Sequence, residues 1–101
     1  MAVISKIEDQ VTVKPESDLT ASTAESLREE LKALLSHEVN MNSLVIDLAN
    51  SRIMDSVGLG VLIAAHNSLS KSDGQLIISN ASEEIKKLMK AMRLDQHFDI
   101  L

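Results

Sequence analysis

Residues 44–62, LVIDLANSRIMDSVGLGVL, decide the fold of this chain. The stretch begins with an apolar run at 44–48 that only Asp47 interrupts. Such a run is typical of a strand covered on both faces, as in a parallel or mixed sheet. A loop over 49–55 follows, and the apolar spacing after it predicts a helix over roughly 57–70. The stretch therefore predicts a buried strand that leads through a loop into a helix.

The segments on either side predict more strands and helices. Upstream, β-prone runs at 2–7 and 10–14 indicate a hairpin, and Leu27, Leu31 and Leu34 indicate an amphipathic helix over roughly 21–37. Downstream, we expect a buried strand at 75–79. A helix that starts after Ser82 should carry Ile85, Leu88, Met89 and Met92, and the tail 94–101 should pack back as a short helix or strand. The order is ββαβαβα plus a tail, which predicts an α/β fold with right-handed crossovers in one sheet.

Composition excludes several classes of function. The 101 residues suit one domain over 1–101, with 45% hydrophobic and 25% charged residues. A net charge of −5 argues against nucleic-acid binding, and the absence of cysteine excludes disulfides and thiolate metal sites. The longest nearly apolar run, 57–65, is too short to span a membrane, and no secretion signal is evident, so we expect a cytoplasmic protein. We expect no cofactor and no metal.

The start of the second predicted helix contains a candidate functional serine. Asp55 or Ser56 can cap this helix, and Gly58 and Gly60 fall in its first turns, where close approach of backbone or of a partner would explain them. The N–H groups of a first turn lack intrahelical acceptors and favour an anion. Ser56 is thus a candidate phosphate carrier, and the simpler interpretation, a helix cap, stays open at this point.

The motif at 55–62, DSVGLGVL, resembles the signature of the STAS family, in which D-S-[ST]-G-[LIV]-G follows a strand that ends in Asp-Leu. Asp47 and Leu48 stand at the matching distance upstream, and the run 17–21 is similar to the family's segment before the first helix. Ser17 and Thr20 depart from the family's usual glycine and aspartate there. The resemblance covers the whole chain and implies a mixed sheet of four to five strands, with three to four helices packed mainly on one face.

The resemblance also implies a function, that of an anti-sigma factor antagonist. Ser56 would be the phosphorylated residue, and Val57 after it leaves one hydroxyl in the motif. The unphosphorylated form would bind a cytoplasmic anti-sigma factor that is also a GHKL-type serine kinase, and a PP2C-type phosphatase would reset the switch. The chain itself would not be an enzyme. The expected partner-binding residues are Thr20, Asp47, Asp55, Ser56, Val57, Gly58, Leu59 and Gly60.

Two other functions fit the sequence less well. A serine hydrolase needs a base near Ser56, but His66 lies ten residues along the same predicted helix, roughly 15 Å away. In a phospho-aspartate receiver, Asp47 at the end of its strand would be the phosphate acceptor. A receiver also needs an acidic pair for Mg²⁺ and a longer chain, so the sequence does not fit one. Two alternatives stay open: an unphosphorylated STAS adaptor in a lipid-transport or other assembly, and a constitutive adaptor in which Ser56 is only a cap.

Overall fold

Residues 2–7, 9–37 and 42–101 are described by the structure, a computed structural model of the chain. Within these ranges the chain forms strands and helices in the expected order. The strands are β1 (Ala2–Ile7), β2 (Gln10–Pro15), β3 (Ser43–Asp47), β4 (Gln75–Ser79) and β5 (Asp99–Ile100), and the helices are α1 (Ala21–His37), α2 (Ser56–Ser70), α3 (Glu83–Ala91) and a 3₁₀ helix (Leu94–Gln96).

The strands form one mixed sheet in the order β1-β2-β3-β4-β5. β1 pairs antiparallel with β2, which confirms the hairpin, and Ile7 lies opposite Gln10 at its tight end. All the later pairings are parallel. The tail forms both of the expected structures, since it makes the 3₁₀ helix and then adds β5 to the edge of β4.

One face of the sheet supplies the floor of the core. Alternate residues of the three central strands are aligned across it and are at most 1% exposed: Val11, Leu44 and Leu76 in one row, and Val13, Ile46 and Ile78 in the next. The three crossovers from β2 to β5 advance in the same direction, so their right-handedness puts α1, α2 and α3 on the same face. The helices cover this floor with Leu27, Leu31, Leu59, Leu62, Ile85 and Met89. The expected mixed sheet with helices on one face is confirmed.

Differences from the expected boundaries are small and have local causes. Helix α2 begins at Ser56 rather than at 57, because Asp55 takes the capping position. Helix α3 ends at Ala91, and Met92 is 55% exposed at its C-cap instead of lying on the buried stripe. None of the helices in the described ranges has the length and apolar character needed to cross a membrane.

Candidate functional site

The loop between β3 and α2 lies against the segment that precedes α1. Leu19 and Met54 form an isolated parallel bridge. The Leu19 N–H donates to the carbonyl of Ile53 at 3.0 Å, and the Asp55 N–H donates to the carbonyl of Leu19 at 3.1 Å. Two segments that are about 35 positions apart in sequence are therefore paired by their backbones, and this pairing places the start of α2 beside the start of α1.

Asp55 uses one carboxylate to bond the starts of two helices. Its Oδ1 accepts hydrogen bonds from the N–H groups of Val57 and Gly58, both at 3.0 Å, which makes it the N-cap of α2. Its Oδ2 accepts from the N–H of Ala21, at the start of α1, at 2.9 Å. The bond from Gly58, with those from Ala21 and Val57, holds the pKa of the Asp55 carboxyl below its usual value. Asp55 therefore stays ionised at neutral pH and joins the two helix starts.

Ser56 is the first residue of α2 and is exposed. Because Asp55 makes the capping bonds, the interpretation of Ser56 as the helix cap is wrong. The Ser56 hydroxyl has no hydrogen-bond partner among the residues that the structure describes. The side chain is therefore accessible to a partner, and it adjoins both the positive end of the helix dipole and the Asp55 carboxylate.

The rest of the motif divides between surface and core. Val57 is 40% exposed and Gly60 is exposed, so both can meet a partner. Gly58 is buried, and a Cβ there would lie 2.3 Å from the carbonyl oxygen of Leu19. Leu59 is 5% exposed and belongs to the hydrophobic core. In the free chain, packing against the fold buries Gly58 and Leu59, and the expected partner contact at these two residues stays a prediction.

Asp47 fastens the beginning of the loop. Its Oδ1 accepts from the backbone N–H of Ala49 at 3.0 Å and from Nδ2 of Asn80 at 2.9 Å. Asn80 lies just after β4, so the carboxylate joins the ends of two neighbouring strands. These contacts describe an acid that bonds the loop backbone at the end of a strand, and the expected partner contact at Asp47 stays a prediction.

Thr20 opens α1. Its carbonyl accepts from the N–H groups of Thr23 and Ala24, and its own N–H donates to Oγ1 of Thr23 at 3.0 Å. The Thr20 hydroxyl lies 3.2 Å from Oγ of Ser22. Thr20 is half-buried, and the backbone of the next residue bonds to Asp55. Thr20 therefore lies at the same edge of the molecule as Ser56.

Sequence reasoning missed the side chains that hold the loop. Oδ1 of Asp18 accepts from the N–H of Arg52 at 2.8 Å and of Ile53 at 3.3 Å. Ser51, only 1% exposed, donates its hydroxyl to the carbonyl of Ser17 at 2.6 Å. No local pattern marks these contacts, because each joins residues about 34 positions apart.

The histidine nearest to Ser56 along the chain is used in packing. The ring of His66 lies 5.2 Å from that of Phe98 and 5.9 Å from that of His97, measured between centroids. In the described ranges no group of three or more His, Asp or Glu side chains is arranged to hold a metal ion. Ser56 itself remains exposed at the surface.

Comparison with known proteins gives one family. A family model described as the STAS domain matches residues 1–101. A STAS-domain containing protein of Pseudomonas aeruginosa (strain UCBPP-PA14) is 30% identical over 56 residues, which are 55% of this chain and 55% of that protein. The match thus spans about half of that relative's length.

Solved structures share the fold of the whole chain. A candidate anti-sigma factor antagonist from Thermotoga maritima superposes with a TM-score of 0.90 at 21% identity, over 98% of this chain and 84% of that one. The anti-sigma factor antagonist SpoIIAA in its unphosphorylated form superposes with a TM-score of 0.78 at 15% identity, over 100% of this chain and 87% of that one. The phosphorylated form of SpoIIAA from Bacillus superposes with a TM-score of 0.78 at 16% identity, over 100% of this chain and 91% of that one. At these identities the likeness shows the fold.

Proposed function

This chain belongs to the STAS family, and from that premise we propose that it is an anti-sigma factor antagonist that acts by phosphorylation-dependent partner switching at Ser56. The proposal is supported by solved structures of the same fold that are anti-sigma factor antagonists. One of them, SpoIIAA, is known in unphosphorylated and phosphorylated forms.

The observation that carries the proposal is that Asp55 caps α2 while the neighbouring Ser56 is exposed. Asp55 makes the side-chain capping bonds at the start of α2, and no described residue bonds the Ser56 hydroxyl. A serine kept only as a cap would make those bonds itself. The exposed hydroxyl is left for another molecule to modify, and this is what a phosphorylation site requires.

In the proposed cycle the unphosphorylated protein binds a GHKL-type anti-sigma factor that is also a serine kinase. The exposed side of the α2 start, Ser56, Val57 and Gly60, forms the centre of the contact. The kinase supplies ATP and Mg²⁺. Oγ of Ser56 bonds to the γ-phosphorus while the bond to the β-phosphate oxygen breaks, ADP leaves, and a base of the kinase takes the hydroxyl proton.

Phosphorylation then ends the contact through charge. The phosphate adds about −1.5 to −2 charges at neutral pH. It stands next to Asp55, a carboxylate that is ionised at neutral pH and whose pKa is lowered further by hydrogen bonds from Gly58, Ala21 and Val57. Two adjacent anions are costly to desolvate in an interface, whereas in the free protein the helix start and water stabilise them. A PP2C-type phosphatase in the cytoplasm removes the phosphate and restores binding.

Mass spectrometry of the protein isolated from cells, with and without the kinase gene, tests the proposal. We expect phosphate on Ser56 only when the kinase is present. Ser56→Ala should keep partner binding and resist modification, and Ser56→Asp should weaken binding. Ser68→Asp is the matched control, because Ser68 is an exposed serine near the other end of α2. Absence of phosphate at Ser56, together with equal partner affinity of Ser56→Asp and Ser68→Asp, would favour an unphosphorylated STAS adaptor.

A further inference from the structure

The peptide groups on either side of Arg52 are held by two side chains from different parts of the chain. Its N–H donates to Oδ1 of Asp18 at 2.8 Å, and its carbonyl accepts from Oγ of Ser82 at 2.9 Å. Asp18 precedes α1, and Ser82 is the N-cap of α3. The backbone four residues before Ser56 is thus fixed from both sides.

The same segment has further bonds to the chain before α1. Oδ1 of Asp18 also accepts from the N–H of Ile53 at 3.3 Å, and the buried hydroxyl of Ser51 donates to the carbonyl of Ser17 at 2.6 Å. Residues 51–53 therefore have little freedom. Helix α2 does not need these bonds to begin, because Asp55 caps it independently. They help to set the path by which the chain reaches Ser56, together with the backbone bonds that Leu19 makes to Ile53 and Asp55.

We propose that Asp18 is a positioning residue for the switch, and that it acts by holding residues 51–53 so that Ser56 is presented to the kinase in one orientation. This inference rests on the proposed function. Proximity and orientation of the acceptor oxygen govern transfer reactions, and small displacements slow them strongly. Asp18 acts through its acceptor oxygen: Oδ1 receives both bonds, and an asparagine side chain retains such an oxygen.

Backbone amide exchange of the full chain, followed by NMR, tests the first half of the proposal. In Asp18→Ala the amides of Arg52 and Ile53 should exchange at least about tenfold faster, because they lose their acceptor. The amide of Gly58, bonded to Asp55, should be unchanged. Asp18→Asn should stay close to the original exchange rates. Leu34→Ala, which truncates a partly buried side chain of α1 that packs against the core, is the control for a general loss of stability.

The phosphorylated fraction of Ser56 in cells, measured as a ratio by mass spectrometry, tests the second half. We expect it to fall several-fold in Asp18→Ala, and to be kept in Asp18→Asn and in Leu34→Ala. Unchanged exchange at Arg52 and Ile53, or faster exchange with an unchanged phosphorylated fraction, would overturn the positioning role while leaving the switch intact. Absence of phosphate in the unaltered protein would instead overturn the proposed function, and the positioning role with it.

Discussion

The close approach of α2 to the segment before α1 can be tested by adding one methyl group at Gly58. A Cβ at this position would lie 2.3 Å from the carbonyl oxygen of Leu19 and 2.9 Å from its Cβ. That oxygen accepts the backbone hydrogen bond from Asp55 at 3.1 Å, and Leu19 itself is 2% exposed. In Gly58→Ala the segment cannot move aside without weakening this bond and disturbing the core. At Gly60 a Cβ would meet nothing within 4 Å.

The expected free energies follow from these distances. Replacing glycine by alanine in a helix contributes up to about 1 kcal/mol of stability, and Gly60→Ala should gain roughly 0.5–1 kcal/mol because the site is open. Gly58→Ala has the same favourable helix propensity. It is opposed by overpacking, which costs about 1–3 kcal/mol, and by the weakening of a hydrogen bond worth about 1 kcal/mol. We therefore expect Gly58→Ala to lower the free energy of unfolding by about 1–3 kcal/mol. The two variants should differ by about 2–4 kcal/mol.

Urea unfolding followed by far-ultraviolet circular dichroism measures this difference. A change of 1 kcal/mol corresponds to about 4–8 °C in Tm for a domain of this size, so thermal melts provide a second reading. If Gly58→Ala proved as stable as Gly60→Ala, the contact between Gly58 and Leu19 would not be the tight one described above, and the reason given for this glycine would be wrong.

Three further predictions concern the same elements. The first concerns Asp55→Asn. Because the pKa of Asp55 is lowered in the folded protein, its carboxylate stabilises the fold at pH values above the unfolded-state pKa of about 3.9. This contribution is lost as the pH falls through the lower pKa of the folded state. Acid titrations of stability should therefore show a smaller drop for Asp55→Asn than for the original protein, and equal drops would contradict the capping role. Leu62→Ala, at a position that is 0% exposed, should cost about 2–5 kcal/mol in urea unfolding. Ser82→Ala removes the N-cap bond from Ile85 and the bond to Arg52, so a loss of about 0.5–2 kcal/mol is expected in the same assay, and no loss would argue against both bonds.

Periodicity predicted most of the secondary structure because local packing dictates it. The runs at 44–48 and 75–79 became β3 and β4 within one residue, since a continuous apolar run suits a strand in a largely parallel sheet. The leucine spacing predicted α1 with the bounds observed. Periodicity did not show whether the tail would form a helix or a strand, and it forms both, because Asp99 and Ile100 find a partner strand in β4.

The site was predicted less completely than the fold. The sequence marked Asp55 and Ser56 as adjacent cap candidates, but either type of side chain can accept the bonds of a first turn. The tertiary structure decides between them: pairing of Leu19 with Met54 brings the Ala21 N–H within 2.9 Å of the Asp55 carboxylate, which then joins two helix starts. Because the Asp55 carboxylate caps α2, the Ser56 hydroxyl is not needed for capping and has no partner among the described residues.

The sequence by itself determined the order of strands and helices, the residues of the core and the presence of a serine motif at the start of α2, because these depend on neighbours a few positions apart. The tertiary structure alone decided which motif residues face solvent, how closely Gly58 approaches Leu19, and how Asp18 and Ser82 hold Arg52. These features arise from contacts between residues 30–39 positions apart along the chain, and each depends on distances that only the assembled sheet and helices set.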